Sequence, residues 1–492
     1  MKKIIFFLLA IFLESIPVNA NQIVYPWRAC PAIVLAGQEL VILYDNITEM
    51  EIDSVILEGP FNRVILPVSK RNIGHFEYDT FSHAATNNKI EVMIPQDTPE
   101  ELYNLVIKCG GETTVSKKSV KVLKAFRNPH RFIHISDLHI SRQWIGTSEN
   151  GYAKELELLD KFIEVANIIH PDYIIVTGDL IHDYTRFNAD SIGWGGTVLS
   201  GMDHRPLAEE KYKNYFEGAS GFSGIYGFNA PVFSLPGNHD FYGFSKDDYE
   251  KKVAQWNKLM GRRVYGFSYL DTRIIASDDF LGDPVTDIPE NAPMSGLQGA
   301  ELERFLTMAG EGKLRIMAQH RHNRVDTLFI NRHRINLLLN GHSHTPRVSV
   351  VGSTPTTSVR SGVVCRSGNI EIWEKTLGLF RIFHINGDDF QYAPPLRFCE
   401  NPTDAYDELR MNLTLNYKME NCGISVSNEA LITNKLEVDL PDCRIRFVMP
   451  KGKYRVSKGV IYQVIETPEL SILDINVDVS AFGSTLVQVL QQ

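Results

Sequence analysis

His134-Ile-Ser-Asp-Leu-His-Ile140 is the stretch on which the reading of this chain turns. Phe132, Ile133 and Ile135 form an apolar run of the kind a buried strand carries, and Asp137 and His139 follow two residues apart. Side chains at that spacing on a strand point to the same side. A carboxylate and an imidazole leaving one strand end together make half of a metal site. Alone, such a pair is more often a cap or a surface feature. What changes the reading lies downstream.

Four later strand patterns end in clusters of the same chemistry. Tyr173–Thr177 runs into Gly178-Asp179-Leu-Ile-His182-Asp183, and Pro231–Leu235 into Pro236-Gly-Asn238-His239-Asp240. Leu314–Ala318 runs into Gln319-His320-Arg321-His322, and Ile335–Leu339 into Asn340-Gly341-His342-Ser343-His344. In open α/β sheets ligands sit beyond the carboxyl ends of the strands, so these clusters converge on one site. Oxygen and imidazole donors without thiolates suit Zn, Mn, Fe, Ni or Co. Glycines ahead of Asp179, Asn238 and His342 allow sharp turns and close backbone approach.

Asp-x-His, Gly-Asp-x-x-x-Asp, Gly-Asn-His-Asp, a lone His and Gly-His-x-His, in that order over about residues 130–388, resemble the calcineurin-like metallophosphoesterase superfamily. The resemblance implies an α/β fold, a double β-sandwich flanked by helices, and two divalent metal ions. It implies Asp137, His139 and His344 on one metal, Asn238, His320 and His342 on the other, and Asp179 bridging them. His239 is then left to protonate the leaving oxygen, with Asp240 able to orient it, and the implied reaction is in-line attack by a metal-bridging hydroxide. His320 is preferred to His322 because it comes first after its strand. Arg321, His322 and Arg324 could contact a substrate phosphate or simply be solvated, and Tyr242 joins them as a substrate-side candidate. Asp183 is expected to support a ligand by a hydrogen bond, while His134 and His170 read as structural. Purple acid phosphatases carry a tyrosine three residues after the bridging aspartate; here that position is His182, which argues against that subfamily.

The 492 residues, 43% of them apolar, suffice for roughly two to four domains. A formal charge of −9 without a long basic block speaks against a nucleic-acid duplex as partner. Residues 1–20 read as a signal peptide: Lys2-Lys3, an apolar run from Ile4 to Leu13, then Val18-Asn19-Ala20. No other apolar run approaches the ~18 residues of a membrane span. The expected mature protein is therefore exported, periplasmic or extracellular, without a transmembrane segment. Six cysteines, at 30, 109, 365, 399, 422 and 443, favour disulfides in that setting, with Cys30–Cys109 and Cys422–Cys443 preferred. Asn46 and Asn412 head Asn-x-Thr sites.

On both sides of the middle region the pattern changes to short alternating strands. Residues 21–125 read as an N-terminal β-sandwich, 126–392 as the catalytic domain and 393–492 as a second β-sandwich. The last includes expected strands at Met411–Tyr417, Leu436–Leu440, Arg444–Met449, Val460–Glu466 and Ile472–Val479. The aromatic-rich connection from Asp183 to Pro231 is expected to shape or cover the site, or to be a packed excursion. The functional expectation is a phosphomonoesterase, a phosphodiesterase or a nucleotidase, acting on a phosphate-ester small molecule or a lipid head group. A binding protein on a retired enzyme scaffold, and sandwiches acting as adhesion or carbohydrate-binding modules, are the alternatives of another class.

Overall fold

The computed structural model describes residues 21–46, 50–79, 84–140, 151–181, 205–241, 249–279, 296–308, 310, 312–364, 377–402 and 408–492. Residues 1–20, where the signal peptide is expected, and Asp183, Tyr242 and Cys365 lie outside them.

The first region consists of two sheets. One orders Gln22–Tyr25, Glu39–Asp45, Ala84–Met93 and Val68–Asp79; the other orders Ala32–Leu35, Glu112–Leu123, Glu101–Cys109, Ile52–Glu58 and Arg63–Leu66. Alternate residues such as Ile42, Tyr44, Val55, Leu57, Ile90, Tyr103, Leu105 and Val120 face one another in a single core. This is the period-2 pattern of a sandwich.

The middle region also packs two sheets, here with helices outside. The first sheet orders Val232–Leu235, Tyr173–Thr177, His130–Ile135, Leu379–Asn386 and Asp389–Tyr392. The second orders Tyr265–Tyr269, Thr272–Ala276, Leu314–Ala318, Leu337–Asn340, Thr357–Arg360 and Arg347–Val350. Phe132, Tyr173, Ile175, Phe233, Ile316, Leu339, Val359 and Phe383 fill the space between them. Helix Gly151–Ile169 buries Leu156, Leu159, Phe162, Ile163, Ala166 and Ile169 on the outer face of the first sheet. Each large apolar side chain buried this way contributes about 1.5–3 kcal/mol. Helix Gly296–Met308 and the short helix Thr327–Arg332 cover the second sheet through Leu302, Leu306, Phe329 and Ile330. His130–Ile135, Tyr173–Thr177 and Val232–Leu235 run parallel, and so do Thr272–Ala276, Leu314–Ala318, Leu337–Asn340 and Thr357–Arg360. Their carboxyl ends therefore share an edge. The expected layers of helix, sheet, sheet and helix are present.

After Tyr392 come a four-stranded sheet (Leu413–Tyr417, Ser427–Asn434, Ser484–Gln491, Tyr454–Val456) and a three-stranded one (Leu440–Pro450, Leu470–Val479, Val460–Glu466). Residues 436–439 form no strand, contrary to expectation, because Asn434 turns the chain there: its side chain accepts from Leu436 N at 2.9 Å and donates to Val438 O at 3.0 Å. The core of this region is continuous with that under helix Gly151–Ile169. Arg131 donates to the carbonyls of Pro441 and Asp442, reaching from the central strand into the last region. Glu100 of the first region meets the same part of the chain: its backbone exchanges hydrogen bonds with Gln463 (3.0 and 2.8 Å), and its carboxylate accepts from Tyr462 Oη at 2.5 Å and lies 3.6 Å from Arg444. No described helix is long and apolar enough to cross a membrane.

The two preferred disulfide pairings are corrected. Cys30, Cys109, Cys422 and Cys443 are each free thiols. Gln22 pairs with Asp45 and Tyr25 with Leu43, so the chain runs away from the Asn46 end, where Cys109 sits, before it reaches Cys30. Asn421 is bonded to Arg446 O and Val448 N, which puts its neighbour Cys422 about five residues, or roughly 16 Å, along the strand from Cys443. Neither pair is within bonding reach. The Asn46 glycosylation site is also closed. Its side chain is buried and donates to Met50 O at 2.9 Å.

Candidate metal centre

The shared edge of the middle sheets gathers the clusters. His134 stays inside its strand, with Nε2 2.9 Å from Thr177 Oγ1, and burial pushes its imidazole down to about 3. Ser136 Oγ donates to Thr177 O at 2.8 Å and braces the next turn. Beyond it the backbone enters the left-handed region repeatedly: φ is 55° at Asp137, 50° at His139, 52° at Asp179, 72° at His342 and 58° at His344. Non-glycine residues rarely adopt that region, and strain of this kind collects where side chains must converge. Gly341 is required for a different reason. A Cβ there would strike Ser136 Oγ and the Asp137 carboxylate, and one on Gly237 would strike Asp179.

Two groups of donor atoms result, each compact enough to hold one cation: Asp137, His139, Asp179 and His344, and Asp179, His320 and His342. Asp179 belongs to both. In the first, His139 Nε2 lies 3.2 Å from His344 Nε2, 3.5 Å from Asp179 Oδ2 and 3.8 Å from Asp137 Oδ1, and His344 Nε2 is 3.1 Å from Asp137 Oδ1. In the second, His320 Nε2 is 3.1 Å from Asp179 Oδ2 and 3.2 Å from Asn238 Oδ1. The outer nitrogen, His320 Nδ1, meets Thr177 O at 2.7 Å, which fixes the ring so that Nε2 faces inward. His342 N donates to both oxygens of Asp137 (3.1 and 3.0 Å), and His239 N donates to Asp179 Oδ1 at 2.8 Å. The expected ligands Asp137, His139, Asp179, Asn238, His320, His342 and His344 thus occupy one site.

The electrostatics of the site call for positive charge. Burial would raise the carboxyl of Asp137, but the neighbouring imidazoles of His344 and His139 hold it well below the usual range. The same balance, led by His320, lowers Asp179. Burial opposes a charged His320, yet Asp179 outweighs it and raises the imidazole to about 10. Two buried carboxylates, four inward imidazoles and an amide oxygen, with no thiolate, are a donor set suited to hard or borderline divalent cations.

His239 is half-buried, its ring edge-on to His139 at 4.6 Å. Asp240, expected to orient it, also braces the turns of the site. Its buried carboxylate accepts from Gly237 N (2.7 Å), Leu180 N (3.2 Å), Ile181 N (3.3 Å) and Tyr212 Oη (3.1 Å). It thereby ties the turn carrying Asp179 to the turn carrying Asn238. Burial, then the charge of Asp179, push this carboxyl up to about 7. Tyr212 comes from the aromatic-rich connection, in helix Arg205–Glu217, where Tyr215 and Phe216 are also buried. The described part of that connection is packed beneath the site.

Arg321 is not free for a substrate phosphate. Its backbone N donates to Asp279 Oδ2 at 2.6 Å and its guanidinium to Asp279 O, so it fixes the loop beyond His320. Gln319 Nε2 braces the same loop through the carbonyls of Arg321 (2.5 Å) and Arg324 (3.0 Å). His322 is half-buried, its ring 6.2 Å from that of His342 and its Nδ1 3.0 Å from Ser343 Oγ. Arg360 donates to the same hydroxyl. Thr177, Gln319, Ser343 and Arg360 were given no role in the sequence; Tyr212 had a signal as one of the aromatics of the Asp183–Pro231 connection, and Ser343 as the middle residue of Gly-His-x-His. A 630 Å³ cleft between helix Gly151–Ile169 and the last region, lined by Glu157, Lys161, Asn167, Asn416 and Tyr417, holds none of the cluster.

Residues 130–346 match the calcineurin-like phosphoesterase family model. The chain is similar to the crystal structure of a dimetal phosphatase from Danio rerio, at 14% identity over 55% of this chain and 96% of that one, with a TM-score of 0.36. It is also similar to the inner-membrane-complex anchor GAP50 of Plasmodium (10% identity, 58% and 90% covered, TM-score 0.32) and to Vps29 of Entamoeba histolytica (10%, 55% and 94%, 0.27). No curated protein matches the chain.

Proposed function

We propose that this chain, whose residues 130–346 are a calcineurin-like phosphoesterase domain, is an exported two-metal hydrolase of phosphate mono- or diesters. The observation that carries the reading is the sharing of Asp179 by two donor groups, since one carboxylate between two cation sites is what a dinuclear centre needs. Asp137, His139 and His344 would hold one ion, Asn238, His320 and His342 the other, and Asp179 both. Bound divalent cations would neutralise phosphate oxygens and supply an acidified water as nucleophile. His239, beside the cluster and partly open to solvent, holds a proton at its imidazole for the departing oxygen. The neutral Asn238 amide limits the charge of the cage. The leader at residues 1–20 supports export, and we assign residues 21–125 and 393–492 as flanking sandwiches that position the catalytic region.

The test is turnover of p-nitrophenyl phosphate and bis-p-nitrophenyl phosphate by metal-stripped protein refilled with Mn, Zn, Fe, Ni or Co. Metal-dependent turnover that Asp179→Ala and Asn238→Ala abolish, and that His239→Asn lowers about a hundredfold to ten-thousandfold, is the expected result. The ratio of the two substrates separates monoesterase from diesterase. Protein that binds two ions yet turns over neither ester would point to a binding protein instead.

A further inference from the structure

Arg347 and Arg360 stand directly opposite each other on the antiparallel strands Arg347–Val350 and Thr357–Arg360. Cross-strand partners project on the same face with Cβ atoms about 5 Å apart, and like charges so placed are destabilising. Arg360 is also only 7% exposed, so its charge is held against the cost of burial. The attraction it feels comes from Asp137 in the cluster. It ends its strand level with Asn340, at the edge that carries the metal site. One Nη donates to Ser343 Oγ, between His342 and His344, and that oxygen meets His322 Nδ1 at 3.0 Å. Arg360 Nε is buried without a partner. Arg347 is exposed, three residues beyond His344.

A fold that sets two arginines opposite each other on one sheet face, one of them buried with a donor unused, has prepared a place for an anion. We propose that Arg347 and Arg360, with Ser343 and His322, form an anion subsite beside the metal centre, and that the substrate is a small phosphate monoester bearing a second anionic group. This rests on the phosphoesterase reading and narrows it. The metal centre takes the scissile phosphate and the arginines take the other group, a carboxylate or a second phosphate. A guanidinium fork matches either one.

Three substrates resolve this with the metal-loaded full chain. Glycerol 3-phosphate and 3-phosphoglycerate differ by a carboxylate, and 2,3-bisphosphoglycerate adds a second phosphate. We expect kcat/KM to favour one or both acids over glycerol 3-phosphate by about tenfold or more, chiefly through KM. Arg360→Gln and Arg347→Gln should each collapse that ratio toward one, and Arg360→Lys, which keeps the charge, should retain part of it. Which acid is favoured separates a carboxylate from a phosphate partner. A wild-type ratio near one for both acids overturns the proposal, and so does a ratio that Arg347→Gln leaves intact. Arg347 is exposed, so its substitution keeps the test valid where Arg360→Gln does not fold. Should the wild type hydrolyse no ester with any metal, the phosphoesterase reading has failed. Calorimetric binding of the same two acids then decides the subsite: binding that Arg347→Gln weakens supports it, and absent or unchanged binding removes it.

Discussion

Replacing Asp240 separates its two candidate tasks, bracing the metal-bearing turns and orienting His239. Truncation to alanine strands the N–H groups of Gly237, Leu180 and Ile181 and the Tyr212 hydroxyl in a buried place. Each stranded group costs about 1–3 kcal/mol, though a water entering the space can satisfy part of the set, so we expect about 4 kcal/mol for Asp240→Ala. Asp240→Asn keeps one acceptor and turns an amide donor toward Gly237 N or the Leu180–Ile181 pair, which should cost about 1.5–3 kcal/mol. Tyr212→Phe removes a single hydrogen bond, about 1 kcal/mol. At roughly 2–4 °C per kcal/mol for a region of this size, the melting temperature should fall by about 8–16 °C, 3–12 °C and 2–4 °C in that order. The assay is thermal unfolding of metal-free protein, so that lost ion binding does not enter, followed by metal content of the refilled variants. Both turns carry ligands, so retained metal should fall in the same rank order. An Asp240→Asn protein that melts with the wild type and binds both ions, yet shows a displaced pH profile of kcat, would refute the bracing role and restore the expected one.

Two further outcomes follow from the described contacts. Burial opposes the charge on Glu100, but His170, Lys121 and Arg444 hold its carboxyl far below the ordinary range. A lowered folded value means that its stabilisation is full above the unfolded value of about 4.3 and is lost as pH falls below it. Glu100→Ala takes the carboxylate from Arg444 and the larger of two from Lys121, the other being Glu101, at about 3 kcal/mol, and Glu100→Gln should flatten the acid limb of urea-melting midpoints between pH 5 and 3; identical limbs would disprove the assignment. In the folded protein, alkylation with peptide mapping should label exposed Cys422 and spare Cys30, Cys109, Cys399 and Cys443, two of which burial pushes up to about 12. Labelling of Cys443 without denaturant would contradict the packing of the last region.

The catalytic region was legible because its signals are local. Strands Leu314–Ala318 and Val460–Glu466 match their apolar runs residue for residue, and the ligand types follow each strand end within a few positions. What was not legible depends on distance along the chain. Asp240 looks in sequence like a partner of its neighbour His239, yet three of its four donors come from residues 180, 181 and 212. Arg360 carries no motif, and the pairing of its strand with Leu337–Asn340 brings it to Ser343. The strand expected at Leu436–Leu440 failed because apolar alternation there reflects packing of a turn held by Asn434. Arg321 resembled a phosphate contact until Asp279, 42 residues away, claimed it.

The bond between Glu100 and Gln463 spans 363 residues. At a synthesis rate of about 5–20 residues per second, the first sandwich therefore exists for roughly twenty seconds to just over a minute before its partner has been made. Through that interval Glu100 lacks Gln463, Tyr462 and Arg444, which reach it only when the chain's tail folds back. A shortened chain ending near residue 392 would keep every ligand of the metal cluster but would remain permanently at this waiting stage. Arg131 would lose its two carbonyl acceptors as well, on the strand that delivers Asp137. The tail thus acts as the last stitch of the fold, closing on its first segment around the strand that feeds the candidate metal centre.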